Sequence, residues 1–316
     1  MARQLTGNWA GRDPSLIDLT GKRNRILSER LIGLALLACA ALSIVTTVGI
    51  VLILLIEALR FFREVPLWDF LTGTEWTALF KDKQFGVLPL VAGTLWITAI
   101  AMVVALPIGL MCAIYLSEYA SERTRSILKP VLELLAGIPT IVYGYFALTF
   151  LTPELLKRII PGIPVLNALS AGIAVGILVL PLVASLSEDA LRAVPTSLRE
   201  AAYGLGATKR EVAMQVVVPA AFSGVVASFI LATSRAVGET MVVAIASGGR
   251  PNLTWDPREG MQTMTAYIVA VFSGDVVYGS IEYLSLFAVG LLLFLITLAM
   301  NFVSQWISAR FREEYQ

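Results

Sequence analysis

The stretch LIGLALLACAALSIVTTVGIVLILLI, residues 31–56, contains no charged side chain. A helix needs about 20 apolar residues to cross the hydrocarbon core of a bilayer. This run has that length, and it follows thirty mostly polar residues. It is too long for the 7–15-residue core of a secretory signal, so it is expected to stay as an uncleaved helix. Five further apolar runs of spanning length follow: Val87–Leu116, Leu134–Leu151, Val165–Leu186, Ala220–Ala246 and Tyr283–Ile307, all uncharged except Ala220–Ala246, which carries Arg235 and Glu239. The expected fold class is therefore all-α, a polytopic membrane protein with six transmembrane helices. Residues 1–30 form an N-terminal tail and residues 31–316 the membrane domain.

Composition agrees. Of 316 residues, 57% are hydrophobic and 15% charged, against roughly 25% charged in soluble domains. Lys+Arg number 24 and Asp+Glu 23, a balance that excludes a nucleic-acid-binding chain. There is no His, hence no His metal site, base or proton relay. Cys39 and Cys112 lie inside apolar runs and read as small packing residues. No G-x-x-x-x-G-K-[ST] phosphate loop is present. The Asn252-Leu253-Thr254 sequon is too common a match to carry weight.

Basic residues orient the spans. Fifteen of the 24 fall on the N-terminus, the 117–133 and 187–219 loops and the C-terminus; eight fall on the opposite set, and Arg235 lies within a span. Positive residues collect on the cytoplasmic side, so both termini are expected there. Gly172 and Gly176, four apart, offer a small face for close helix packing. Pro107, Gly137 and Pro139 interrupt spans. Such breaks suit either a pathway or a kink buried among neighbours.

The 187–219 loop contains PTSLREAAYGLGATKREVAMQVVVP. Ser197 with Glu200, and Thr208 with Glu211, match the S/T-x-x-E capping box. Gly204 and Gly206 between them end the first helix. The expectation is helix, glycine turn, helix, with Ala201 and Ala202 leaving a flat face that fits a groove on another protein. An amphipathic connection lying in the interface reads equally well.

The fifth span carries Arg235 and Glu239, four apart and so expected on one helical face. A charge at the bilayer centre costs about 2.5–3.5 kcal/mol. The guanidinium is a rigid fork of donors suited to a tetrahedral oxyanion, and Glu239 would hold it between passages. Ser234 and Thr240 add hydroxyls beside it. The alternative is an ion pair that fixes this helix to a neighbour.

Glu200-Ala201-Ala202, Gly206 and Pro219 stand at the offsets of E-A-A-x3-G-x9-I-x-L-P, with Val216 and Val218 in place of Ile and Leu. This resembles the EAA motif of ABC-importer permeases of the MetI type. With R-A-x-G-E-T at 235–240, LELLAGIPTIVYG at 132–144, FGVLPLVAGTL at 85–95 and MQTMTAYI at 261–268, the chain is similar to phosphate-specific (Pst) permeases, PstC rather than PstA. The resemblance implies a type I importer in a bacterial plasma (inner) membrane. Its partners would be a PstA-like permease, two PstB-like ATPases, an extracytoplasmic PstS-like phosphate-binding protein and membrane lipid. This chain would then be no enzyme and hold no cofactor of its own; ATP and Mg would sit on the partner ATPase. Glu200, Ala201, Ala202 and Gly206 would couple to that ATPase, and Arg235 and Glu239 would be critical for transport. A sulfate or molybdate permease, a secondary anion transporter and a non-transporting scaffold are the rival readings.

Overall fold

A computed structural model describes residues 22–310. Among them the chain is helical, with isolated β-bridges at Trp76–Phe85 and Gly248–Met261 in place of strands. It divides between Ile53 and Leu54 into two units. The first unit's described part belongs to α1 (Lys22–Glu64). Its apolar side chains, among them Leu31, Leu37 and Val45, are exposed. An all-round apolar helix of this kind is built for lipid or for a partner helix.

The second unit holds the remaining helices. After α2 (Leu67–Thr72) comes α3, which runs from Leu88 to Tyr119 and is π-wound over Tyr115–Tyr119. Then follow α4 (Glu122–Ala136), α5 (Thr140–Ile159), α6 (Ala168–Arg192) and α7 (Thr196–Gly204). The remainder are α8 (Lys209–Ala220), α9 (Phe222–Val237), α10 (Met241–Ala246), α11 (Met264–Ser273) and α12 (Ile281–Arg310). Helices α1, α3, α6 and α12 contain straight stretches long and apolar enough to span. The pairs α4–α5 and α8–α9, bent by 85° and 71°, bring the number to six if each counts as one span.

Those bends correct two expected spans. The third does not run straight from Leu134. Helix α4 ends at Ala136, and the break falls at Gly137-Ile138-Pro139. Pro139 has no N–H to continue the ladder, so the apolar helix restarts at Thr140. The fifth does not run unbroken to Ala246. It ends at Val237, and Gly238, Glu239 and Thr240 separate α9 from α10.

Helix α6 is the hub. Its N-terminus is capped by the buried Asn167, whose side chain accepts from Ser170 N at 2.7 Å. That cap satisfies a backbone donor no lipid could. Gly172 and Gly176 face α3, as their spacing predicts. A Cβ on Gly172 would lie 2.7 Å from Ile100 Cβ, and one on Gly176 2.9 Å from the Ala101 carbonyl oxygen. Gly109 of α3 is matched in turn to Val183, 2.7 Å from where its Cβ would be. At one end of α3 an aromatic cluster surrounds Phe61, Phe70, Trp76 and Tyr267. At the other end, Ala113, Leu191, Val194 and Val212 pack with the hairpin.

Near its last turn α6 carries Glu188, fully buried. Arg125 Nε donates to its Oε1 and Lys129 Nζ to its Oε2, each at 2.7 Å. Lys129 also reaches Asp189 at 2.5 Å. Lys129 and Arg125 thus clip amphipathic α4 onto α6. Removing one partner of a buried pair costs about 3–5 kcal/mol. Glu188→Ala is therefore expected to lower the thermal unfolding midpoint of the purified protein by several degrees and to free α4 for proteolysis. An unchanged midpoint would show that the clip contributes nothing.

Candidate functional site

Two regions match the residues singled out from the sequence. The first is the end of α9. Arg235 sits in its last turn, thirteen residues past Phe222 and so roughly 20 Å along the helix. The helix stops two residues later, so Arg235 and Glu239 do not share a continuous helical face as their spacing predicts. They are nevertheless paired across the helix end, Nη1 to Oε2 at 2.5 Å. The pair is asymmetric. The Glu239 side chain is 2% exposed and that of Arg235 44%.

Glu239 is fixed on three sides. Its second carboxylate oxygen accepts from Val242 N at 3.4 Å, at the start of α10. Its backbone carbonyl accepts from Thr265 Oγ1 at 2.6 Å. Thr265 lies 2.9 Å from Thr263 Oγ1, and Thr263 caps α11 by accepting from Ala266 N at 3.1 Å. So the anchored member of the pair is the carboxylate, and among the described residues Arg235 makes no other hydrogen bond or ion pair. Ser234 Oγ is buried and makes no hydrogen bond among the described residues. Thr240 Oγ1 donates to the Gly238 carbonyl at 3.1 Å and so closes the break between the two helices. Neither hydroxyl bonds to Arg235 or Glu239. Thr263 and Thr265 were not expected here; the N-cap preference of Thr is the one local signal that marks Thr263.

The second region is the hairpin. Helix α7 begins at Thr196 behind Pro195, and no side chain caps it. The expected Ser197–Glu200 capping box is therefore absent. Pro195 takes the cap position, and Ser197 falls inside the first turn. The Thr208–Glu211 box does form, with Thr208 N donating to Glu211 Oε2 at 2.7 Å and Glu211 N to Thr208 Oγ1 at 3.4 Å. Gly204 is the last residue of α7, and Gly206 turns the chain at φ +85°, a conformation glycine adopts without penalty. Glu200 and Ala201 are exposed, but Ala202 is not on the same face; it packs against Leu191, Val194 and Val212. Leu205 at the tip is 91% exposed.

A third feature lies at the far end of α6, in the 247–263 segment. An open cleft of about 580 Å³ is lined by Leu166, Arg250, Asn252 and Glu259. Asn252 Nδ2 donates to Glu259 at 2.7 Å. Nearby, hydrogen bonds from Arg258 hold the Asp256 carboxyl down at about 2.

Residues 105–313 match the family described as Binding-protein-dependent transport system inner membrane component. The chain belongs to that family. It is the membrane component of an ABC importer and spans the membrane several times. The probable ABC transporter permease YqgH of Bacillus subtilis is 33% identical over 92% of this chain and 94% of its own length. The phosphate transport permease PstC of Mesorhizobium japonicum is 34% identical over 77% of this chain and 79% of its own. A probable PstC from Methanocaldococcus jannaschii is 31% identical over 83% and 90%. Among solved structures, a bacterial alginate ABC transporter superposes with TM-score 0.60 at 14% identity, covering 92% of this permease and 96% of that chain. The MetNI methionine transporter gives 0.53 at 19%, covering 72% and 94%. At such identities the likeness is one of fold.

Proposed function

We propose that the permease moves inorganic phosphate into the cytoplasm by alternating access, powered by ATP hydrolysed on separate subunits. The observation that carries this is the half-exposed Arg235 held by the buried Glu239 at a break in an apolar span. Guanidinium to phosphate is a fork of charge-assisted hydrogen bonds. An internal carboxylate that competes for the same fork lets the anion leave, and transport needs release as much as capture. The names of the PstC relatives point to phosphate among the tetrahedral oxyanions.

Under this reading the 187–219 hairpin faces the cytoplasm, both termini with it, and residues 31–316 act as one membrane domain. Glu200, Ala201 and Gly206 meet the ATPase, with Ala202 packed behind them. A PstA-like permease completes the pathway, two PstB-like subunits bind ATP and Mg, and a PstS-like protein delivers the anion from outside.

The test is transport by the assembled importer in proteoliposomes with ATP supplied to the ATPase side. Radiolabelled phosphate is expected to accumulate, and excess unlabelled sulfate or molybdate to leave that accumulation unchanged. Accumulation of sulfate in its place would make the substrate another oxyanion. ATP-independent accumulation driven by a proton or sodium gradient would overturn the reading.

A further inference from the structure

The hairpin grips the membrane helices at one point. Arg199, on α7 beside Glu200, is mostly buried and makes hydrogen bonds in three directions. Nη1 donates to the Val194 carbonyl at 2.6 Å and Nη2 to the Leu191 carbonyl at 2.8 Å. Leu191 is in the last turn of α6 and Val194 lies two residues past its end; a helix C-terminus leaves acceptors unused and favours a cation. Nη2 also meets Glu118 Oε1 at 3.1 Å, and Nε meets it at 3.3 Å. Glu118 is on the last turn of α3, its side chain 5% exposed. The second hairpin helix touches the same turn, with Lys209 Nζ 5.1 Å from the centre of the Tyr119 ring.

That turn is π-wound, a geometry that is uncommon and is frequently found at functional sites. From Glu118, α3 runs back sixteen residues, roughly 24 Å, to Met102. There Thr233 Oγ1, which donates to the Phe229 carbonyl of its own helix at 2.7 Å, touches Met102 Sδ at 3.1 Å. Thr233 precedes Arg235 by two residues on α9. Along this length α3 is interlocked with α6 at Gly109, Gly172 and Gly176. A close-packed contact transmits displacement because it has no void in which to absorb it. One helix thus touches both the hairpin and the neighbourhood of Arg235.

We propose that Arg199 is a positioning residue that clamps the hairpin to α3 through Glu118, so that movement of the hairpin is delivered along α3 to the Arg235 region. The clamp rests on the importer reading but not on phosphate as the substrate. Severing it should leave the hairpin docked and the ATPase active while α3 no longer follows.

The experiment uses the complete importer in nanodiscs, with spin labels on Val103 of α3 and Leu231 of α9, both exposed, in a background with Cys39 and Cys112 replaced by Ser. The distance between them is read with and without a non-hydrolysable ATP analogue, in the absence of any anion. Wild type is expected to shift its distance distribution. Arg199→Gln and Glu118→Gln should co-purify with the ATPase yet lose that shift, and ATP-driven uptake should fall roughly tenfold. The reversal Arg199→Glu with Glu118→Arg should recover part of both. Arg199→Lys keeps the charge but lacks the fork that reaches two carbonyls and a carboxylate at once, so it should fall between.

A full shift in both Gln variants overturns the clamp. So does failure of both to assemble while Arg199→Lys behaves as wild type, since the bridge would then serve folding alone. If wild type shifts with the ATP analogue but does not carry phosphate, the substrate reading fails and the clamp stands.

Discussion

Arg235→Gln is expected to lower phosphate uptake by on the order of a hundredfold while the importer remains assembled. A hydrogen bond to a charged group contributes about 1.5–3 kcal/mol, and each 1.4 kcal/mol is tenfold. Arg235 would supply at least one such bond to the anion, in a setting drier than bulk water. Gln is the informative replacement because its amide can still donate to Glu239 Oε2. The buried carboxylate then keeps a partner, and the break between α9 and α10 is not forced open. Arg235→Lys separates two properties. It keeps the charge and loses the planar fork, so partial uptake would assign part of the effect to geometry.

Glu239→Gln should act in the opposite sense on binding. With no internal carboxylate to compete, the anion stays longer, and the expected result is a lower KM with a lower maximal rate. The measurements are radiolabelled uptake and co-purification of the ATPase. Wild-type uptake by Arg235→Gln in an intact complex would reduce the pair to a bridge that closes the helix break. The substrate question would then reopen.

The spans were legible because hydropathy is local and additive. Residues 31–56 announce a membrane helix whatever surrounds them. The breaks were half legible. Gly137 and Pro139 mark the third span's interruption, but Gly238 reads equally well as a small residue inside a helix. The hydrogen bond from Thr265 to the Glu239 carbonyl, from a residue 26 positions away, helps hold the chain in its turned form. Capping shows how little a local pattern decides. Two S/T-x-x-E sequences stand eleven residues apart in one hairpin, and only Thr208–Glu211 closes a box. Pro195 caps the other helix two residues before Ser197.

Glu188 and Arg199 were not legible at all. Their partners lie far along the chain, Arg125 63 positions from Glu188 and Glu118 81 from Arg199. In sequence each is one more charge in a basic loop. The fold places them where water is scarce, and so turns ordinary loop charges into the clips between α4, α6, α7 and α3.

The second large effect is expected at Gly206 and Glu200. Gly206 has φ +85°, yet a Cβ built there would meet nothing within 4 Å. Gly206→Ala therefore produces no clash, only the cost of holding an L-residue in the left-handed region, roughly 1–2 kcal/mol. The permease should fold and assemble, with the strain relieved by a change in the angle between α7 and α8. Glu200 is exposed, and among the described residues it takes part in no hydrogen bond or ion pair. Glu200→Gln should therefore leave the thermal stability of the isolated permease unchanged. Both variants alter the surface and the turn by which the hairpin would meet the ATPase, the first of the two sites that coupling requires. A coupling free energy of about 1–3 kcal/mol corresponds to a 5- to 150-fold change. Uptake is expected to fall within that range while ATP hydrolysis continues, so that the ATP consumed per phosphate imported rises. Measuring both rates on the same proteoliposomes decides the matter. An unchanged ratio in both variants would mean that the hairpin's exposed face takes no part in coupling, and that the EAA spacing serves only to fold the loop.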